Sequence, residues 1–396
     1  MSRRKHYVVA TLLVALVLMA IGFWRDRDSR DTKPNRVSTS GSTTDPAKAE
    51  RNRLKHSIEK TLLTTPWPPI ELAKHMKIHD RASAEQVRAA IVEFVFPNGR
   101  PSHDPLTKQP DTSFPATELW TLTMRNDIVS RMFFIRAEEA EGACLFLFHN
   151  GHGHPTKSIT SIPIVRALVD RFTKNGCDVL LLSMPLNGVN NDPHFQSDNP
   201  HDELRAFEAV DLSPFSYFIE PVLRGLDEAT KEKSYSRIGM AGLSGGAWTT
   251  TFAGAIEPRL KNVYPVAGSM PFALDIPPEL VGGRNVSSLR GDYEQSHSFY
   301  KTVADYLDLY LLDVYGPDRR AVHFYIQKDQ CCFFGAASHA FSEQLTRLAK
   351  DITGNSLQFV VDHAAQRHEV SSSTLEAIFA DFSRGSSSDR SSGHTP

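Results

Sequence analysis

Along the chain, short runs of aliphatic and β-branched residues alternate with longer stretches in which apolar positions recur every three or four residues. Residues 88–96, 117–125 and 128–137 are predicted to be strands in succession, with Pro97-Asn98-Gly99 and Asn126-Asp127 as turn signals, which implies an antiparallel opening. The period then changes. Cys144-Leu145-Phe146-Leu147-Phe148 is an unbroken apolar run, as expected of a strand covered on both faces, and a helical pattern over 158–174 follows, stopping at Asn175-Gly176. The same pairing recurs: 179–182 with 212–230, 238–241 with 245–256, 263–266 with 298–313, 322–326 with 338–352, and 357–361 with 372–383. Repeated βα units force a mostly parallel sheet flanked by helices, since each crossover is long and right-handed. The fold class is α/β, and ligands are expected beyond the carboxyl ends of the strands.

The two ends of the chain follow different patterns. Ser2-Arg3-Arg4-Lys5 precedes an uncharged, mostly apolar run from Tyr7 to Trp24, bounded by Arg25-Asp26-Arg27-Asp28. Eighteen helical residues would span roughly 27 Å, close to the hydrocarbon thickness of a bilayer. Residues 1–25 are therefore read as a membrane anchor with the amino terminus in the cytoplasm, or as a signal peptide cleaved near Ala20-Ile21-Gly22; either way the remainder is exported. Residues 26–53 and 385–396 are rich in Ser, Thr, Asp and Arg and poor in large apolar side chains, as in a flexible linker and tail. The folded part is expected over 54–384, with 54–116 as an extension ahead of the main domain.

Composition narrows the function classes. In 396 residues, 44 Lys and Arg against 46 Asp and Glu give a net charge of −2, which offers no footprint for a nucleic-acid backbone. The four cysteines are Cys144, Cys177 and the pair Cys331-Cys332, without the repeated CxxC spacing of a zinc site. Cys144 and Cys177 begin strands expected to be neighbours, so in an oxidising compartment they are candidates for a bridge.

Gly242-Leu243-Ser244-Gly245-Gly246 lies between the strand 237–241 and a helical stretch. Small residues around the serine allow a tight strand–turn–helix in which Oγ projects above the sheet beside a helix amino terminus, although Gly-Ser-Gly would also serve as an ordinary helix cap. In this context the chain resembles the α/β-hydrolase superfamily, of the serine esterase and lipase kind, from about residue 117 to 384. The resemblance implies about eight strands, lid-like insertions, and the order serine nucleophile, acid, histidine. It points to Ser244 as nucleophile. His149-Asn150-Gly151-His152-Gly153-His154 looks like a variant of the lipase HGGG loop, which makes Gly245, Gly151 and His152 the candidate oxyanion-hole donors. Asp329, at the end of the strand 321–327, is the expected acid, with Asp292 as the competitor. His368 has a loop behind it and a helix start ahead, whereas His363 leaves its strand almost at once; an imidazole, with an ordinary pKa near 6.5, suits a general base. The expected triad is Ser244, Asp329 and His368, with Asp292 and His363 as alternatives.

No cofactor is called for. The histidines of 149–154 alternate with glycine in part and have no carboxylate at ligand spacing nearby, so no metal is assigned. Residues 186–211 and 268–297 are too long for simple connections and are read as a lid or substrate wall, and Phe195, Phe207, Phe215, Phe218, Phe333 and Phe334 as pocket candidates. The leading reading is a serine hydrolase acting on small-molecule carboxylic esters. The alternatives are thioester or amide hydrolysis by the same residues, or a membrane-tethered binding module that keeps the fold without turnover.

Overall fold

The structure, a computed structural model, describes residues 67–100, 106–137, 144–152, 158–195, 200–209, 211–274, 292–329 and 333–384. Its strands are β1 (Thr107–Asp111), β2 (Thr117–Thr123), β3 (Val129–Ile135), β4 (Cys144–His149), β5 (Cys177–Leu182), β6 (Arg237–Leu243), β7 (Asn262–Val266), β8 (Arg320–Ile326) and β9 (Ser356–Asp362). They form one sheet in the order β1-β2-β3-β5-β4-β6-β7-β8-β9. The β1–β2, β2–β3 and β3–β5 pairs are antiparallel, and every pair from β5 through β9 is parallel.

Two departures from the sequence reading occur at the start. Residues 88–96 do not form a strand; nearly all of them lie in helix α1 (Arg81–Val95), which begins at Asp80 with a capping box to Ser83 and buries Ala84, Val87, Ile91 and Val95 at three- and four-residue spacing. The dense apolar end of that helix mimics a strand. The sheet also has nine strands rather than about eight, because β1 joins its edge; Thr-Lys-Gln-Pro-Asp is almost wholly exposed and carries no apolar alternation to announce it. The 54–116 stretch thus contributes α1 and β1 to the domain, and Arg88 of α1 donates from Nε to the Ala255 carbonyl at 2.8 Å.

The remaining long helices are α2 (Pro163–Thr173), α3 (Ser216–Glu232), α4 (Gly245–Ile256), α5 (Tyr306–Leu312), α6 (Ser342–Thr353) and α7 (Ser372–Arg384). The helical stretch expected over 298–313 is interrupted where Asp305 caps α5. Two apolar clusters cover the two faces of the sheet. Alternate residues of β4 divide between them: Leu145 and Leu147 face the cluster containing α1, α3, α4, α5 and α6, while Phe146 and Phe148 face α2 and α7. Each fully buried aromatic ring of these clusters contributes roughly 1.5–3 kcal/mol by leaving water. Phe215 and Phe218 belong to this core, edge-on to Trp248, rather than to an open pocket.

Helix α4 is buried along its whole length. Thr249, Thr250 and Thr251 tolerate that burial because each hydroxyl donates to the carbonyl four residues back. Chain direction across the sheet reverses at β4: β5 lies on one side of it and β6 on the other. Such a switch point opens a crevice at the carboxyl ends of the two flanking strands, here at His149 and Leu243. At the opposite edge, Cys144 and Cys177 stand in register on β4 and β5 and form a disulfide.

The Tyr7–Trp24 run, the 26–53 linker, the 385–396 tail, Cys331-Cys332, Gly153-His154 and part of both long insertions lie outside the described residues. Among the described residues, no helix is long and apolar enough to cross a membrane.

Candidate active site

Ser244 occupies the turn between β6 and α4 with φ 57° and ψ −127°, a conformation that costs a non-glycine residue on the order of 1–3 kcal/mol. The surroundings enforce it. The Ser244 N–H donates to Val266 O at 3.0 Å, and Ala247 and Trp248 donate to the Ser244 carbonyl at 2.9 and 3.0 Å. The serine stands at the cap position of α4, yet its side chain makes no capping bond. Its hydroxyl is left available.

The loop after β4 lies directly on this turn. A Cβ at Gly151 would meet Leu243 O at 2.5 Å and Ser244 Cβ at 2.6 Å, and one at Gly246 would meet His149 O at 2.1 Å. Only glycine fits at either place. Gly245 opens α4, so its N–H has no acceptor within the helix. Asn150 secures the loop by donating its N–H to Leu182 O at 3.0 Å. His149 is fully buried, and burial lowers its pKa to about 4, so the ring is neutral.

Asp329 and His368 arrive from the carboxyl ends of β8 and β9. His368 Nδ1 is 2.8 and 3.0 Å from the two Asp329 carboxylate oxygens, and its Nε2 is buried with no hydrogen-bond partner. The loop carrying His368 is stapled by Asp362, whose Oδ1 accepts from Ala364 and Ala365 N–H and whose Oδ2 accepts from the Ser371 and Thr374 hydroxyls. Burial pushes the Asp362 carboxyl up, but the Ser371, Thr374 and backbone hydrogen bonds outweigh it and hold the group below the usual carboxylate range. The sequence reading missed Asp362, which looked like an ordinary strand end.

The two alternative residues make different contacts. His363 is exposed, with Nδ1 2.7 Å from Gln327 Oε1. Asp292 Oδ2 lies 3.6 Å from His152 Nδ1. The His152 ring covers the first turn of α4, since a Cβ at Gly245 would come within 2.9 Å of its Cε1, and it is near enough to His368 to feel its charge. Gly151, His152, Ser244, Gly245 and His368 therefore share one neighbourhood.

His152 also brings in two residues that sequence reasoning did not single out. Its Nε2 is 3.0 Å from His201 Nδ1 and 3.7 Å from Glu294 Oε1, and His201 Nδ1 is 3.2 Å from Glu294 Oε2. No carboxylate lies at ligand spacing along the chain, but the fold brings Asp292 and Glu294 to these histidines. Glu294 lies 93 residues beyond His201, on the short helix Tyr293–Ser296, a distance no local pattern bridges. Burial lowers the His201 pKa, but the Glu294 carboxylate and the Pro185 carbonyl more than offset this and raise it above the ordinary value. Burial raises Glu294, and His201 and His152 reverse the shift. His152 is lowered, first by loss of water and then by His201.

No protein-family model matches the chain, and no curated protein matches it in sequence. Solved structures do match. The glucuronoyl esterase from Solibacter usitatus is similar over 77% of this chain and 94% of its own, with a TM-score of 0.52 and 12% identity. The acetyl xylan esterase from Paenibacillus sp. R4 is similar over 82% of this chain and 98% of its own, with a TM-score of 0.50 and 13% identity. The chain has the α/β-hydrolase fold. Within that fold, and setting aside β1, Ser244 follows the fifth strand, Asp329 the seventh and His368 the eighth. The chain spans 41% of the length of the Pyrococcus horikoshii acylaminoacyl peptidase, to which it is similar at a TM-score of 0.41 and 14% identity.

Proposed function

We propose that this α/β-hydrolase-fold chain is a serine hydrolase that cleaves carboxylic esters, with Ser244 as nucleophile, His368 as general base and acid, and Asp329 as the residue that orients His368. The observation that carries this reading is the pairing of a strained, uncapped serine with a histidine bound to a carboxylate through Nδ1 and unsatisfied at Nε2. The esterase names of the two broader structural matches point the same way.

In this mechanism the Ser244 hydroxyl attacks the ester carbonyl carbon as His368 Nε2 takes its proton. Asp329 stabilises the imidazolium and fixes its tautomer. The negative oxygen of the tetrahedral intermediate is met by the Gly245 N–H and by an N–H of the Gly151–His152 loop, each worth roughly 10²–10³ in rate. Collapse expels the alcohol, which receives the proton from His368, and leaves an acyl-Ser244. Water, deprotonated by His368, then attacks the acyl carbon, and the acid leaves with Ser244 reprotonated.

Incubating the folded chain with a fluorophosphonate probe tests the proposal: covalent labelling at Ser244 is expected. A folded chain that stays unlabelled favours the binding-module reading instead. A panel of chromogenic esters of graded chain length then ranks the acyl groups accepted, and thioester and amide analogues separate the related activities. The insertions 186–211 and 268–297 are proposed as the walls that set this preference. The catalytic domain is proposed to work outside the cytoplasm, held by Tyr7–Trp24. The Cys144–Cys177 disulfide supports an oxidising compartment. A reporter fused after Pro396 should be active only when it requires export.

A further inference from the structure

His152, His201 and Glu294 are gathered from three separate segments: the loop after β4, the short helix Pro200–Glu203 and the helix Tyr293–Ser296. Their facing donor atoms are 3.0, 3.2 and 3.7 Å apart. A four-coordinate zinc with bonds of about 2.0–2.1 Å sets its nitrogen and oxygen donors roughly 3.3 Å apart. The 3.2 Å distance is to Glu294 Oε2 and the 3.7 Å distance to Oε1, so His152 Nε2, His201 Nδ1 and the Glu294 carboxylate stand at the spacing of donors around one such ion.

The tautomer of His201 sharpens the case. Its Nε2 lies 2.9 Å from the Pro185 carbonyl, which can only accept, so Nε2 carries a hydrogen and the neutral ring turns a lone pair at Nδ1 toward Glu294. His201 and Glu294 are both fully buried. A lone pair and a carboxylate oxygen 3.2 Å apart in such a place repel unless a cation or a proton lies between them. One proton on Nδ1 would satisfy Glu294 Oε2, yet Oε1 is also buried and makes no hydrogen bond. An ion among these groups answers the His201 lone pair, the carboxylate charge and His152 Nε2 together, with one donor atom from each residue.

The surroundings hold these donors in place. The Pro185 carbonyl orients His201, as the outer partners of metal-bound histidines commonly do. The Tyr300 hydroxyl donates to the Glu294 carbonyl at 2.6 Å, and Trp248 Nε1 in α4 donates to that hydroxyl at 2.6 Å. The Phe218 ring stands edge-on to His201 at 5.0 Å.

We propose that His152, His201 and Glu294 form a binding site for a divalent cation of the zinc class, with three protein ligands and a fourth position open. The ion clips the loop after β4, the Pro200–Glu203 segment and the Tyr293–Ser296 segment together beside the first turn of α4. Two imidazoles and one carboxylate select zinc or its first-row neighbours over magnesium and calcium, which prefer all-oxygen shells. None of its ligands belongs to the proposed triad, and His152, whose backbone N–H is a candidate oxyanion donor, would bind the ion through its ring.

The test is zinc itself. The full-length chain and its Ser244→Ala, His152→Ala and Glu294→Gln variants are equilibrated with zinc, dialysed against metal-free buffer, and assayed for bound metal and for affinity by competition with a chromophoric chelator. One zinc per chain is expected in the wild type and in Ser244→Ala, whatever the outcome of the probe labelling. Affinity should fall roughly 100-fold or more in the other two variants. Cobalt in place of zinc should give the visible spectrum of a tetrahedral ion. His152 is partly exposed, so its variant reads the site even if Glu294→Gln fails to fold. Substoichiometric zinc on folded wild type overturns the proposal and leaves His201 as a protonated partner of Glu294. Equal zinc on wild type and His152→Ala overturns it too, because the metal would then sit elsewhere.

Discussion

Two histidine–carboxylate pairs stand at the carboxyl edge of the sheet, and they differ in what the far ring nitrogen does. In His368–Asp329 the carboxylate takes Nδ1 and the opposite nitrogen is unsatisfied. In His201–Glu294 the carboxylate also faces Nδ1, but the opposite nitrogen is committed to the Pro185 carbonyl. An imidazole with one open nitrogen is free to move a proton; one bound at both ends is fixed in place. The difference extends to the scaffold, since Ser244, Asp329 and His368 each follow a parallel strand, as His152 does, whereas His201 and Glu294 come from four-residue helices. Strand ends hold a proton relay in register, and loops brought together benefit from a common ligand.

The comparison is most open to attack at the nucleophile. Ser244→Ala should lower ester turnover by roughly 10⁴–10⁶ while leaving circular dichroism unchanged; activity within tenfold of wild type would remove the open-nitrogen pair from the chemistry. Next come the rival acids and bases. Asp329→Asn is expected to cost about 10⁴ in kcat and His368→Ala a comparable amount, with Asp292→Asn and His363→Ala within about tenfold of wild type. A reversed order for the aspartates would join the two clusters into one machine.

The next effect concerns stability. The disulfide closes a span of 33 residues at the sheet edge remote from both clusters. Replacing both cysteines by alanine should cost about 3–4 kcal/mol in urea denaturation, and kcat at low temperature should not change. The smallest effect is on pH. His149 is held neutral with a pKa of about 4 in the folded state, against about 6.5 when unfolded. Between those values the unfolded chain binds more protons, so this contribution is present above pH 6.5 and shrinks as pH falls toward 4, by about 2 kcal/mol at pH 5. Without a bound cation His201 has the opposite sign, its raised pKa giving stability that is present below 6.5 and lost as pH rises through the folded value. A denaturation midpoint that does not decline between pH 7 and pH 5 would show that the acid-side loss is compensated elsewhere.

The strand ends that carry the proposed triad were legible in the sequence because their information is local. An apolar run followed by a turn and a helical period marks each strand end, and Ser244, Asp329 and His368 lie within a few residues of such ends. The other half was not legible. His201 and Glu294 sit in segments without period, and what joins them to His152 is tertiary geometry. The misassigned 88–96 segment has another cause: Ile91-Val92 and Phe94-Val95-Phe96 are dense enough in apolar side chains to hide the helical spacing of Ala84, Val87, Ile91 and Val95. β1 was silent because an exposed edge strand needs no apolar alternation.

The backbone at Ser244 sets the proposed nucleophile against the domain that carries it. Glycine adopts φ near 57° freely, so Ser244→Gly should unfold at a higher temperature than Ser244→Ala, by about 1 kcal/mol of relieved strain, once any loss of packing around the missing methyl is taken into account. A library of variants screened for heat resistance alone would favour losing the serine. On the proposed reading the catalytic serine occupies a position that thermal selection would discard, and any evolution of this chain toward heat must find its gains elsewhere in the molecule.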